Sequence, residues 1–253
     1  GRQVPILDTP RLSLRSWTDA DLLPYTQLNA DPRVMRYFPR VLSAPESRAQ
    51  MGRLQAFLVA HGWGVWAVTL KSTGEFIGMT GLHAVEKDSG IPHAPLTEIA
   101  WRMLPDHWGR GYAPEAARRV MQFAFEVLAL DAVHAFTATV NGPSRRVMTK
   151  IGMVDTGEVF DHPALPAGHV LQRHCLYGGG GSGRWPVDQA SGKGWICMSM
   201  RSPATDAMLT SVSSEKMLIL PRTRSEASTK RGSSPSWRSG SSAPRRARRI
   251  APA

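Results

Sequence analysis

The sequence has few cysteines and no long apolar run. Only two cysteines, Cys175 and Cys197, occur in 253 residues, and neither stands at a spacing used by metal sites. Such sparse cysteine is typical of reducing compartments and argues against structural zinc. No apolar segment reaches the roughly 18 residues that a membrane-spanning helix requires. The first residues, Gly-Arg-Gln-Val-Pro, lack the apolar core of a signal peptide, so we expect a cytoplasmic protein without metal or membrane.

Acidic residues become scarce towards the C-terminus. Residues 1–177 carry 18 Lys and Arg against 16 Asp and Glu, whereas residues 178–253 carry 13 against 4, so most of the net charge of +11 belongs to the second part. That part opens with a glycine-rich stretch, a composition typical of flexible linkers, and continues with little periodicity. We therefore predict a folded domain over residues 1–177 and a disordered basic tail over residues 178–253.

Hydrophobic periodicity predicts an α/β domain with one central, mostly antiparallel sheet flanked by helices. The predicted order is β-α-α-β-β-β-α-β-α-β-β. Strands are expected over residues 11–17, 64–70, 75–82, 96–104, 131–140, 153–160 and 169–177. Helices are expected near residues 18–28, 44–60, 114–128 and 145–151.

The stretch Trp108-Gly-Arg-Gly-Tyr-Ala-Pro-Glu115 separates a predicted strand from a predicted helix. Its glycines permit a tight turn and a close approach of the backbone to a ligand. Pro114 suits the first turn of a helix, where the N–H that proline lacks has no intrahelical partner. A small-residue loop at a helix N-terminus exposes N–H groups and the positive end of the helix dipole, which together bind anions. A glycine turn that only begins a helix is the alternative.

Read as Trp108-x-x-Gly111-x-Ala113, this loop resembles the [QR]-x-x-G-x-[GA] pyrophosphate loop of the GNAT superfamily of acyl-CoA N-acyltransferases. The wording W-G-x-G-[YL]-A-x-E-A is similar to the branch that acetylates the N-termini of ribosomal proteins, the RimJ/RimL-like (ribosomal-protein-alanine acetyltransferase) enzymes. A second block, Asn141-x-x-Ser144-x-x-Val-Met-x-Lys-x-Gly-Met153, resembles another segment of the family. With the opening Thr9-Pro-Arg-Leu-x-Leu-Arg15, the resemblance covers nearly all of residues 5–177, and it implies the GNAT fold.

The resemblance implies that acetyl-CoA is the co-substrate and that the loop holds its pyrophosphate. A backbone N–H near residues 100–102 would polarise the thioester carbonyl where two strands part. Arg110 could add a charge or face solvent, and Asn141 could hold the pantetheine arm or brace the loop through an Asx turn. The implied cofactor-binding residues are Ala100, Trp101, Arg102, Trp108, Gly109, Arg110, Gly111, Tyr112, Ala113, Asn141 and Ser144.

Three residues are candidates for the proton transfers of the reaction. An amine must be neutral to attack, so a group has to take its proton. The resemblance implies Glu98 for this role, directly or through a water; a structural carboxylate paired with an arginine is the alternative. Ser144 corresponds to a hydroxyl that the family places near the CoA sulfur, although it could simply cap a helix. Tyr177 is a second candidate acid.

The function implied by the resemblance is transfer of acetyl from acetyl-CoA to a primary amine, by direct attack in a ternary complex. The acceptor would be a protein N-terminus or a small-molecule amine, and the protein a monomer or homodimer. A catalytically idle CoA-binding module and a nucleic-acid-associated protein acting through the basic tail are the alternatives. His162, His169 and His174 lack metal-ligand spacing and are expected to line the acceptor pocket or to be ordinary loop histidines.

Overall fold

The computed structural model describes residues 3–180 of the chain. Within them the four α-helices are α1 (Leu22–Ala30), α2 (Ala44–His61), α3 (Tyr112–Glu126) and α4 (Gly142–Lys150). The strands are β1 (Leu7–Asp8), β2 (Leu12–Arg15), β3 (Val65–Leu70), β4 (Phe76–Val85), β5 (Leu96–Met103), β6 (Ala132–Ala138), β7 (Val154–Asp161) and β8 (Arg173–Gly180).

All eight strands form one sheet in the order β1-β2-β3-β4-β5-β6-β8-β7. Every neighbouring pair is antiparallel except β5 and β6, which run parallel. A parallel pair needs a crossover connection, and α3 supplies it here. The predicted α/β layout with a mostly antiparallel central sheet is confirmed.

The two faces of the sheet are covered by different helices. On one face, Trp66 packs edge-on against Phe123 of α3, with ring centroids 5.4 Å apart. On the other, Trp17 packs against Tyr25 of α1 at 4.8 Å, and both belong to a cluster that also takes Leu54 of α2. The sheet therefore lies between α3 on one side and α1 and α2 on the other.

Local sequence explains where α2 begins and ends. The amide of Ser43 donates to the Glu46 carboxylate at 2.8 Å, and the amide of Glu46 donates to the Ser43 hydroxyl at 3.3 Å. This reciprocal pair is a capping box, which satisfies two amides that a helix start leaves without partners. Gly62 ends the helix in a left-handed conformation with φ of +73°.

The last strand differs most from the prediction. β8 begins at Arg173 rather than at residue 169, and it continues through Gly178, Gly179 and Gly180, which composition assigns to a linker. These glycines pair with His134, Val133 and Ala132 of β6. Ladder hydrogen bonds use backbone groups, so pairing overrides the composition of this stretch.

Smaller differences concern the ends of other elements. The strand β1 was not predicted, since it has only two residues, and α4 begins at Gly142 rather than at residue 145. No helix within residues 3–180 combines the length and the apolarity that crossing a membrane would demand. The predicted tail from residue 181 onward lies outside the described residues.

We expect a chain ending at Gly180 to be more stable than a chain ending at Tyr177. The shorter chain loses three paired positions between β8 and β6, and a few backbone hydrogen bonds contribute about 1–3 kcal/mol to the free energy of unfolding. Urea unfolding of the two truncated chains measures the difference. Equal unfolding free energies would show that the three glycines do not contribute to the sheet.

Candidate active site

The loop between β5 and α3 has the strand–loop–helix setting that the sequence predicts. Gly109 and Gly111 have φ of +74° and +79°, values in the left-handed region that glycine adopts without steric cost. The indole Nε1 of Trp108 donates to the carbonyl of Met103 at 2.8 Å, so the ring braces the loop against the end of β5. A Cβ at Gly109 would meet no atom within 4 Å, which leaves the backbone open on that side.

The loop presents a set of backbone amides that have no acceptor in the described part of the chain. Within residues 3–180, none of these amides donates to a backbone or side-chain acceptor. Several converging N–H groups at a helix N-terminus form a site for phosphate oxygens. Arg110 is exposed and adds a positive charge beside them. The donors belong to Gly109, Arg110, Gly111, Tyr112 and Ala113.

Residues from the turn between β1 and β2 hold the start of α3 in place. The Glu115 carboxylate accepts from the Thr9 hydroxyl at 2.7 Å, from the Arg11 amide at 3.0 Å and from Arg11 Nε at 2.7 Å. The Arg11 guanidinium also lies 4.4 Å from the centre of the Tyr112 ring. We call Thr9, Arg11 and Glu115 the loop clasp.

The electrostatics of the loop clasp favour an ionised carboxylate. Burial alone would raise the pKa of Glu115, but the hydrogen bonds from Thr9 and Arg11 outweigh burial and hold this pKa below its ordinary value. Sequence reasoning assigned no role to Arg11, although Arg11 lies in the Thr-Pro-Arg-Leu stretch and Glu115 in the loop wording. The resemblance of each segment to the family does not indicate that the two are in contact, because 104 residues separate Arg11 from Glu115.

The parallel strands β5 and β6 pair at a single position, Glu98 opposite His134. Between this pair and the loop of residues 108–111, the two strands share no further paired position, so a gap opens between them. The N–H of Leu104, just after β5, donates to the carbonyl of Ile77 in β4. Successive N–H groups of a strand point to alternate sides, so the N–H groups of even-numbered residues in β5 point towards β4. The N–H of Trp101 therefore points into the gap, whereas those of Ala100 and Arg102 point towards β4. Of the three residues predicted to polarise a carbonyl, the structure favours Trp101.

Glu98 lies where the gap begins, and it is only 9% exposed. His83 of β4 and His134 of β6 occupy the same register position on either side, so the three side chains share one face of the sheet. Burial lowers the pKa of both histidines to about 4, with the charge of Arg102 adding to the effect on His83 and that of His93 to the effect on His134. Both imidazoles are neutral at neutral pH.

The Arg102 side chain is directed towards α1. Its Nη1 donates to the Asn29 side chain of α1, and its guanidinium lies 4.6 Å from the centre of the Phe38 ring. Burial lowers the pKa of Arg102. The guanidinium thus joins β5 to α1 and to the loop after α1. Only the backbone of Arg102 is available to contact a cofactor.

Asn141 begins α4 and is its cap. Its side-chain oxygen accepts from the Ser144 amide at 3.2 Å, and its Nδ2 donates to the Thr137 hydroxyl at 2.8 Å. The alternative role of Asn141, bracing the loop through its own side chain, therefore has direct geometric support. Ser144 lies in the first turn and is half-buried; it is not the cap, so its hydroxyl is available for another partner.

Tyr177 lies on the opposite face of the sheet from Glu98. It pairs with Ala135, the residue after His134, so its side chain points to the α3 and α4 side. Its hydroxyl oxygen accepts from Arg145 Nε at 3.3 Å, and Arg145 also bonds the Asp155 carboxylate at 3.2 Å. Because the phenol oxygen accepts this bond, its own hydrogen can be donated elsewhere.

Two predicted histidines join an aromatic cluster on the Glu98 face. The rings of His162 and His174 have centroids 4.7 Å apart, and both contact Phe136 and Phe160. Burial lowers the pKa of His162 to about 4 and also lowers that of His174. His169 is half-buried on the loop before β8. In the described part of the chain, no group of three or more His, Cys, Asp or Glu is arranged to hold a metal ion.

We expect Glu115→Gln to destabilise the protein by about 1–3 kcal/mol at pH 7, because the loop clasp uses an ionised carboxylate. A carboxyl whose folded pKa is lowered stabilises fully above its unfolded pKa, and this stabilisation is lost as the pH falls through the folded value. Urea unfolding at pH 7 and at a series of lower pH values should therefore show a difference that is full at pH 7 and shrinks as the pH falls below about 4.3, the ordinary pKa of a glutamate. Glu126→Gln on the exposed end of α3 is the control, with little effect at either pH.

Comparison with known proteins places this geometry in a family. A protein-family model described as "Acetyltransferase (GNAT) domain" matches residues 11–154 of the chain. An uncharacterized N-acetyltransferase of Bacillus subtilis, YoaA, is 30% identical over 155 residues, 60% of this chain and 85% of that protein. The FsC-acetyl coenzyme A-N(2)-transacetylase of Aspergillus fumigatus is 31% identical over 178 residues, 68% of this chain and 75% of that one.

Solved structures share the fold at low sequence identity. Spermidine N-acetyltransferase from Vibrio cholerae, in complex with CoA and spermine, superposes with a TM-score of 0.55 at 18% identity over 69% of this chain and 98% of that one. The ribosomal L7/L12 N-acetyltransferase RimL, in complex with CoA, gives 0.57 at 13% identity over 70% and 98%. Acetyl-CoA is the co-substrate. The chain belongs to the GNAT family of acetyltransferases.

Proposed function

We propose that this protein transfers acetyl from acetyl-CoA to a primary amine, by direct attack within a ternary complex, with Glu98 as general base. One observation carries the proposal: the gap between β5 and β6 begins at a buried carboxylate and opens towards a loop with five N–H groups that donate to no acceptor in residues 3–180. An anion held at the loop and a reacting group in the gap would belong to one elongated molecule.

Residues 109–113 would hold the diphosphate of acetyl-CoA through their backbone amides, with the charge of Arg110 beside them. When bound, acetyl-CoA supplies an acyl group activated as a thioester. The loop clasp and the Trp108 indole fix the amides from two sides, so little conformational freedom would be lost on binding.

Glu98 is proposed to take a proton from the amine, because the nucleophile must be neutral. From its position at the start of the gap it would reach the amine beside the reacting carbon, and the Trp101 N–H would donate to the carbonyl oxygen as negative charge develops there. Tyr177 or Ser144 would donate a proton to the thiolate of CoA, whose pKa is near that of a free thiol.

The arrangement of these groups on two faces supports direct attack. Glu98 lies on the α1 and α2 face, whereas Tyr177 and α4, which carries Ser144, lie on the other. An acceptor amine would then approach from one face while the thiol departs towards the other. Within residues 3–180, Cys175 is buried and its sulfur donates towards the Thr137 carbonyl, so an acyl-cysteine is not part of the proposal.

The acceptor is proposed to be a protein N-terminus or a small-molecule amine. The relatives and structural neighbours named above act on acceptors as different as spermidine and a ribosomal protein, so their names do not choose between the two classes. A thiol-release assay of the whole chain with acetyl-CoA against peptides and small amines tests the proposal. Intact CoA binding without thiol release from any acceptor would contradict it.

We expect Glu98→Gln to lower kcat by about 10²- to 10⁴-fold, the range of general base catalysis, and to leave the affinity for CoA unchanged. Steady-state kinetics and calorimetry measure the two effects. Glu86→Gln, in the loop that follows β4, is the control and should retain activity. An unchanged pH–rate profile in Glu98→Gln would show that another group is the base.

We expect Gly111→Val to abolish measurable CoA binding while the protein remains folded. The substitution meets no close atom, its nearest neighbour being Arg11 Nη2 at 3.5 Å, so the cause is the φ of +79°, which disfavours any Cβ by about 1–2 kcal/mol and would move the amides. Gly74→Val is the matched control: its φ is +74° and its surroundings are equally open, but it lies in the turn between β3 and β4. Calorimetry should show CoA binding in the control alone.

A further inference from the structure

The proposed reaction releases one proton that has to reach solvent. A primary amine is largely protonated at neutral pH, so the balance is R–NH3⁺ + acetyl–S–CoA → R–NH–CO–CH3 + HS–CoA + H⁺. Glu98 would take this proton, and Glu98 is only 9% exposed. The carboxylate must lose the proton again before the next turnover. This inference rests on the proposed function and concerns the route by which the proton leaves.

The residue opposite Glu98 on the neighbouring strand is His83. The two residues are register partners on the antiparallel strands β4 and β5. The amide alternation set by Leu104 and Ile77 makes them a hydrogen-bonded pair, so their side chains stand next to each other on one face. Among residues 3–180 the buried Nε2 of His83 has no hydrogen-bond partner. A buried polar atom without a partner costs stability unless water or a functional group satisfies it.

A small cavity lies on the other side of the imidazole, between β4 and α2. Its volume, as space available to the centre of a water molecule, is about 20 Å³. One water needs roughly 10–15 Å³ by this measure, together with polar partners. The lining includes the side chains of His83 and Arg53, with Leu54 and Phe57 of α2 as apolar walls. Arg53, which is half-buried, forms part of the cavity wall on the α2 side.

We propose that His83 and one water molecule in this cavity form the exit path for the proton that Glu98 takes from the acceptor amine. His83 is a positioning and relay residue, because it acts through Glu98 and does not touch the substrates. The water would bridge His83 Nε2 and the α2 side of the cavity.

Each step of the path moves one proton. The amine gives its proton to the Glu98 carboxylate, which becomes a carboxylic acid. The acid passes the proton to one ring nitrogen of His83 while the other ring nitrogen releases a proton to the cavity water, and the ring regains its first tautomer afterwards. The cavity water passes its extra proton on to solvent, so the Glu98 carboxylate is restored and the released proton does not stay in the interior.

The state of His83 suits this role. Burial, with the charge of Arg102, lowers its pKa to about 4, so the ring is neutral at neutral pH and has one donor and one acceptor nitrogen. The charged and titratable groups around it are Glu98 and Arg102 of β5, Arg53 of α2 and, beyond Glu98, His134 of β6. A neutral relay between a carboxylate and two guanidinium groups passes a proton on and does not retain it.

The test uses the full chain and an acceptor identified in the thiol-release panel. We expect His83→Ala, which leaves a space of imidazole size, to lower kcat by about tenfold or more and to leave the affinity for CoA unchanged. Added imidazole should restore part of kcat, in proportion to its concentration, because it carries protons in place of the missing ring. His61→Ala, which removes a histidine from the end of α2, should keep its rate and show no response to imidazole.

Several outcomes would overturn the exit path. An unchanged rate in His83→Ala, or a loss that imidazole does not reduce, would show that the proton leaves elsewhere. If His83→Ala does not fold, His83→Gln decides, since the amide keeps a polar group there but cannot relay a proton at this pH; a wild-type rate in that variant overturns the path. Absence of turnover by the wild-type chain would remove the proposed function, and this inference with it, whereas wild-type turnover with unaffected His83 variants removes the inference alone.

Discussion

The ladder between β5 and β6 stops after one paired position, and the rest of the active site depends on this interruption. Buried backbone amides and carbonyls need partners. Where two parallel strands separate inside a continuous sheet, their facing groups become available to something other than protein. The amide of Trp101 points into the gap, and the indole of Trp108 donates to the carbonyl of Met103. Glu98 lies at the position where the pairing ends. If β5 and β6 were hydrogen-bonded along their whole length, the loop of residues 108–111 would have no adjoining cleft.

The loop needs help from distant parts of the chain to keep its shape. Two glycines in left-handed conformations make the turn possible but also flexible, since glycine loses the most conformational freedom on ordering. The loop clasp and the Trp108 indole counter that flexibility. The clasp joins the turn before β2 to the first turn of α3 through charge-assisted hydrogen bonds, which are stronger than neutral ones. The turn between β1 and β2 thus helps to fix the shape of the loop before α3.

Much of the fold could be predicted from the sequence, because strand alternation, capping residues and the two glycine-containing motifs are local signals. The strand–loop–helix around Gly111 and the capping box of α2 are examples. The glycines at 178–180 could not be assigned, since their strand exists only through pairing with β6 and their composition indicates a linker. The loop clasp and the position of His83 beside Glu98 were also beyond sequence reasoning, because both depend on contacts between distant segments. The roles of Glu98, Ser144 and Tyr177 are still predictions, as are the RimJ/RimL-like branch, the cytoplasmic location and the oligomeric state.

Under the roles proposed for Glu98 and Tyr177, their position on opposite faces of the sheet has a consequence for inhibitor chemistry. A molecule that joins an acceptor mimic to a coenzyme mimic could not lie flat in a surface groove. It would have to thread the sheet itself, entering over α1 and α2 and emerging beside α4. The tether at its centre would need to be as slim as an extended chain, so bulky linkers would be rejected by the width of the opening and not by the chemistry of either end.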